Sequence, residues 1–139
     1  MTEITGGCRC GTVRFSLASE PAVSRLCWCR DCQYWGAGSA TVNAVFRKAD
    51  LKVEGEVRVY ESLADSGSQM RRSFCPACGT PLFSESLQRP EAVIVRVGAL
   101  DDPEVGRPSN AIWAASAPSW ACTLQDLPSI PAQPPPLPV

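Results

Sequence analysis

The sequence predicts an all-β fold, a sandwich or a folded open sheet, and three observations carry that prediction. Short segments alternate apolar and polar residues with period two. Clusters of glycine, serine, aspartate and proline separate them. No stretch sustains the 3.6-residue periodicity of a long amphipathic helix. At 139 residues, 45% hydrophobic and 19% charged, the chain has the composition of one globular domain able to bury a core.

The elements follow in order. "TVRFSL" (12–17) places Val13, Phe15 and Leu17 on one face of a strand, and "ATVNAVF" (40–46) does the same for Val42, Ala44 and Phe46. "RKADLKVEG" (47–55) reads as one or two turns of helix at most. "EVRVYES" (56–62), "TPLFSES" (80–86) and "EAVIVRVGAL" (91–100) are further strands, rich in β-branched and aromatic residues. The last twelve residues, "PSIPAQPPPLPV", hold six prolines, which cannot donate into a sheet. The expected division is a domain over residues 1–127 and a proline-rich tail over 128–139.

Thirteen Lys and Arg against fourteen Asp and Glu leave a formal charge of −1, with no basic run to gather nucleic acid or an anionic membrane. No apolar run approaches the ~20 residues that span a bilayer. "MTEITGGCRC" has neither a basic n-region nor an apolar h-region, so a cytoplasmic location is expected. The oligomeric state, monomer or homodimer, stays open.

Eight cysteines dominate the chemistry, and their spacing favours chelation over disulfides. Cysteines one or two residues apart suit one ion held by one turn. "FCPACGTPLF" (74–83) has the form of a zinc knuckle. Cys75 and Cys78 aim two sulfurs at one ion, Pro76 pre-sets the turn, and Gly79 supplies the φ > 0 residue just after it. The pair supplies half a tetrahedron. Cys8 and Cys10, flanked by Gly7 and Gly11 in "GGCRCGTV", are the natural other half. A four-cysteine site from Cys8, Cys10, Cys75 and Cys78 is expected to be structural, with Arg9, Arg71 and Arg72 near enough in sequence to offset its charge. The alternative, a redox dithiol, needs its motif on a helix after a strand.

"CWCRDCQ" (27–33) adds Cys27, Cys29 and Cys32, one sulfur short of a closed cage. Cys122 is the one cysteine left, and it reads either as a fourth ligand or as a small buried hydrophobe. Asp31 offers an oxygen or acts as a turn residue. Three thiolates plus an exchangeable position is the layout of a catalytic zinc. The chain has no histidine, so any metal here is held by thiolates and no imidazole can shuttle protons.

The ordered set "GGCRCGTVRF", "CWCRDCQ", "FCPACGTPLF" and "IWAASAPSW" resembles the glutathione-dependent formaldehyde-activating enzyme family, which also contains centromere protein V. The resemblance covers residues 4–127 and seven cysteine positions. It implies an Mss4-like β-tent fold, in which antiparallel sheets lean over one another, and two zinc ions per chain. It also implies that Cys8, Cys10, Cys75 and Cys78 hold a structural zinc, and Cys27, Cys29 and Cys32 a catalytic one. The implied activity is that of a carbon–sulfur lyase joining a thiol such as glutathione to formaldehyde. The family's central motif carries histidine where this chain has Trp28. Glutathione brings two carboxylates, for which Arg25, Arg30, Arg47 and Arg96 are candidate partners, with Trp28, Tyr34 and Trp35 as candidate pocket walls. The competing classes are a non-catalytic zinc scaffold and a nucleic-acid-binding ribbon.

Overall fold

The computed structural model describes residues 2–138. Ten strands, here β1 to β10, form two sheets among the described residues. β1 (Ile4–Gly7), β2 (Arg14–Leu17) and β5 (Leu51–Glu54) make a small antiparallel sheet in the order β1-β2-β5. The large sheet adds β3 (Val23–Cys27), β4 (Thr41–Arg47), β6 (Arg58–Leu63), β7 (Gln69–Phe74), β8 (Pro81–Ser86), β9 (Ala92–Arg96) and β10 (Asn110–Ile112). Its order is β10-β3-β4-β9-β8-β7-β6, antiparallel except where β10 runs parallel to β3. The architecture is the all-β arrangement of leaning sheets that the sequence predicts.

The core lies between the two sheets. Val13, Phe15 and Leu17 from the small sheet meet Ala44, Phe46, Phe83, Val93 and Val95 from the large one, all buried. Phe15 and Phe83 cross edge to face at 5.1 Å between centroids. Gly6 permits the close approach of the small sheet: a Cβ there would sit 2.3 Å from the Ala99 carbonyl oxygen.

The opposite face of the large sheet is polar. Register places Arg25 beside Asn43 and Asn43 beside Arg96, in one row across β3, β4 and β9. A second row runs Tyr60, Arg72, Ser84. Over this face lies a single short helix, α1 (Arg30–Trp35), whose Trp35 ring receives the Arg72 guanidinium 4.4 Å from its centroid.

The segment 47–55 holds a single short turn, within the one or two that the sequence allows. Only Lys48–Asp50 forms a 3-10 turn, after which Leu51–Glu54 pairs with β2 as an edge strand. The charged residues that suggested a helix are the outward side chains of an edge, where charge discourages further pairing. β1, β3, β7, β10 and α1 were not expected from the sequence. After the 3-10 stretch Ser119–Asp126, residues 128–138 are exposed and form no strand or helix. Among the described residues, no helix is long and apolar enough to cross a membrane.

Candidate metal centre

Two turns bring the first cysteine group together. The loop after β1 folds back so that the Val13 N–H donates to the Cys8 sulfur at 3.2 Å. The loop after β7 is the expected knuckle: Ala77 and Cys78 N–H groups donate to the Cys75 sulfur at 3.4 Å each, and Gly79 has φ +77°. The sulfurs of Cys8, Cys10, Cys75 and Cys78 all lie within 4.8 Å of one another. Cys8 to Cys10 is 3.5 Å and Cys10 to Cys75 is 3.8 Å. A tetrahedral zinc with sulfur bonds of about 2.3 Å separates its ligands by about 3.8 Å, so the donor set fits such an ion. Thr12 and Thr80 complete the surroundings. The Thr80 hydroxyl lies 3.1 Å from the Cys78 sulfur and accepts from the Arg9 N–H at 3.0 Å. Bonding to Thr80 draws the Cys78 thiol down to a pKa of about 5.

The expected charge partners of this group are elsewhere. Arg71 pairs with Glu61 at 3.4 Å. Arg72 is buried on the far face of the large sheet, over Trp35. Arg9 contributes its backbone rather than a demonstrated ion pair.

The second group sits where β3 ends and α1 begins. Cys27 closes the strand, Cys29 caps the helix by accepting the Cys32 N–H at 3.3 Å, and Cys32 follows one turn later. All three are buried, and their sulfurs lie within 4.8 Å of one another. An all-sulfur donor set of this geometry also suits zinc. Cys122 does not join them. It is exposed, its thiol donating to the Ser119 carbonyl at 3.3 Å, so it is neither the fourth ligand nor the buried hydrophobe considered from the sequence. Asp31 is likewise outside the sulfur cluster, though one of its carboxylate oxygens is buried without a protein partner among the described residues.

The surroundings of this group come from β4 and β9. Arg96, 7% exposed, donates to Asn43 Oδ1 at 2.5 Å. Asn43 Nδ2 donates to Thr41 Oγ1 at 3.0 Å, and Thr41 stands opposite Cys27 in the register of β3 against β4. Sharing a proton with Cys27, with help from Thr41, Cys29 and the Arg96 charge, draws the Cys32 thiol down to a pKa of about 5. The Cys27 thiol is pushed up in consequence, by its bond to Cys32 and by burial. Gln33, also buried, donates to the carbonyls of Trp28 and Ser116 at 2.7 and 3.1 Å and so fixes the loop.

A cavity of about 300 Å³ opens beside this group, lined among others by Trp35, Thr41, Val42, Thr80, Pro81 and Arg96. Thr41 is the cross-strand neighbour of Cys27 and the Thr80 hydroxyl lies against the Cys78 sulfur, so residues next to both sulfur groups line the cavity. Of the expected arginines only Arg96 lines it. Arg47 pairs with Asp50 at 2.8 Å, Arg30 bonds Gln33 and covers Tyr34, and Arg25 is half-buried with an unpartnered Nε. Of the expected aromatic walls, Trp35 lines the cavity, Tyr34 is exposed, and Trp28 is buried edge-on against Trp120 at 6.4 Å. Thr41 and Asn43 were missed. The signal was present in "ATVNAVF", whose polar residues alternate with the core-facing ones on a strand buried on both faces.

The sequence profile of the glutathione-dependent formaldehyde-activating enzyme family matches residues 3–116. A protein of Halomonas elongata that carries the provisional name of glutathione-dependent formaldehyde-activating enzyme is 29% identical over 114 residues, covering 78% of this chain and 72% of that protein. A crystal structure of a Rhodobacter sphaeroides protein superposes with a TM-score of 0.59 at 26% identity, covering 77% of this chain and 98% of that one. With a profile match over most of its length and both cysteine groups assembled, the chain belongs to the glutathione-dependent formaldehyde-activating enzyme family.

Proposed function

We propose that this protein is a zinc-dependent carbon–sulfur lyase that makes or cleaves the adduct of a thiol, such as glutathione, with an aldehyde. Cys8, Cys10, Cys75 and Cys78 hold a structural zinc in this reading, and Cys27, Cys29 and Cys32 hold a catalytic one. The observation that carries it is the pairing of a buried three-sulfur group with an adjoining cavity that Thr41 and Arg96 line. A scaffold has no use for an incomplete ligand set next to open space.

Zinc bound by three thiolates would supply Lewis-acid polarisation, which makes a fourth, thiol ligand acidic. The protein's own residues do the rest. Cys27, Cys29 and Cys32 would hold the zinc by three sulfurs, with Thr41, the cross-strand neighbour of Cys27, lining the cavity beside them. Thr41, oriented by Asn43 and Arg96, stands beside the group and favours the thiolate form of Cys32. Trp35, pinned by Arg72 behind it, walls the cavity and limits the approach of water. Addition forms one sulfur–carbon bond, and the thiol proton ends on the carbonyl oxygen; cleavage reverses both. With no histidine in the chain, that proton passes through solvent in the cavity.

The test is an exchange experiment by NMR on zinc-reconstituted protein with glutathione and isotopically labelled formaldehyde. Catalysis accelerates exchange between free formaldehyde and S-hydroxymethylglutathione, and Cys29→Ser abolishes the acceleration. A zinc-replete protein that neither accelerates exchange nor binds the thiol is a scaffold, and the enzyme reading fails.

A further inference from the structure

Arg96 is a cation where none is ordinarily tolerated. It is 7% exposed, and among the described residues it has no carboxylate within ion-pairing distance. Burying an unpaired guanidinium is strongly unfavourable unless a counter-charge is supplied. Its neighbours are the neutral Asn43, which fixes the guanidinium by accepting from it, and the Cys32 and Cys27 sulfurs, on which its charge acts. Arg72 stands near enough to repel it. Another face of Arg96 lines the cavity.

The four-sulfur group has no such buried cation. Two of its members, Cys10 and Cys78, are exposed, so water can screen its charge. The three-sulfur group is buried throughout. Three thiolates and one zinc sum to −1; a fourth, anionic sulfur would raise the buried charge to −2. With Arg96 included, the site stands at zero before that ligand arrives and at −1 after.

We propose that Arg96 is the positioning residue that admits an anionic sulfur ligand to the Cys27/Cys29/Cys32 centre, acting on the charge of the incoming thiolate rather than on a carboxylate elsewhere in the ligand. This rests on the reading of that centre as the thiol-binding one. Binding would break the thiol S–H bond, release its proton to solvent, and put the sulfur in the fourth ligand position in place of the solvent there. The Arg96–Asn43–Thr41 chain makes the effect directional. Arg96 donates to Asn43 and Asn43 to Thr41, the cross-strand neighbour of Cys27, so the guanidinium is fixed where Arg96 and Thr41 line the cavity. A flexible lysine at an open site would not be held so.

Cobalt-loaded full-length protein provides the test, with thiolate-to-cobalt charge-transfer absorption as the readout and cobalt content measured separately. Two thiols are titrated: 2-mercaptoethanol, which is neutral apart from its sulfur, and 3-mercaptopropionate, which adds a carboxylate. Arg96→Met weakens both by at least about tenfold while cobalt content is kept, because a unit charge is lost at short range in a buried site. Arg96→Lys restores most of the affinity. Asn43→Ala, which leaves the charge but frees its position, gives a smaller loss in the same direction for both thiols. It carries the test should Arg96→Met fail to fold. A loss confined to 3-mercaptopropionate overturns the proposal, since Arg96 would then be reading a carboxylate. Unchanged affinities in the folded variants overturn it too. If wild-type cobalt protein holds its metal yet ignores both thiols, the functional reading itself falls, and this one with it.

Discussion

Asp101 is a single side chain that ties the small sheet to the exit of β9. It accepts two hydrogen bonds from the Arg14 guanidinium of β2, one at 3.0 Å, and one from the Thr5 hydroxyl of β1 at 2.6 Å. Those bonds, Arg14 first, hold its carboxyl down at a pKa of about 2. An acid with a depressed folded pKa stabilises the fold above its unfolded pKa of about 3.9, and that stability is lost as pH falls toward about 2. Both partners are half exposed, so solvent screening limits the effect to about 0.5–1 kcal/mol. Asp101→Asn is therefore expected to lower the unfolding midpoint in denaturant titrations at pH 7, with the gap to wild type closing between pH 4 and about pH 2. A gap that persists unchanged in acid would mean the carboxylate charge has no part in it. Trp28 belongs to the same scale. Indole donates one N–H and accepts nothing, and the ring is spent on packing against Trp120. It offers no proton-transfer group where the family's motif has histidine, which fits a centre whose proton leaves through the cavity.

The elements that carry the cysteines differ in what their loss would do. The knuckle between β7 and β8 and the loop between β1 and β2 share one sulfur group, so breaking it separates the two sheets. The turn from β3 into α1 carries its three sulfurs within a single stretch of chain and staples nothing distant. Cys78→Ser is expected to cost several kcal/mol or abolish folding, since structural zinc sites contribute on the order of 10 kcal/mol. Cys29→Ser should leave thermal unfolding within a few degrees of wild type. Equal destabilisation of the two variants would contradict the division of roles. Legibility from the sequence also divided by element. Strands with one wholly apolar face, such as β2 and β4, were readable by alternation, and so was the knuckle, whose residues are set by backbone need. β3 and β7 were not, because "VSRLC" and "QMRRSF" place arginines on the polar face that α1 covers, and a covered polar face mimics a loop. β10 is three residues long, and α1 is six, less than two full turns, so neither leaves a period to detect. The ligand groups could be read from spacing alone; the Arg96–Asn43–Thr41 chain could not, because it depends on the register of β4 against β9.

Across the whole molecule, the apolar core fills the space between the sheets, while Trp35 of α1, Thr41 of β4, Arg96 of β9 and Thr80 and Pro81 line the cavity. One sulfur group brings together residues 8 and 10 with residues 75 and 78; the other comes from a single turn, residues 27 to 32. In this reading the two groups hold metal unequally. A closed four-ligand site releases zinc slowly, whereas a three-ligand site exchanges through its fourth position. The most direct measurement is zinc content by elemental analysis during graded chelation, with circular dichroism recorded on the same samples. Two zinc ions per chain are expected at the start, with early loss of one while the β signal stays intact and later loss of the second together with unfolding. Loss of both ions in a single step with the fold, or a chain that never holds more than one, would contradict it.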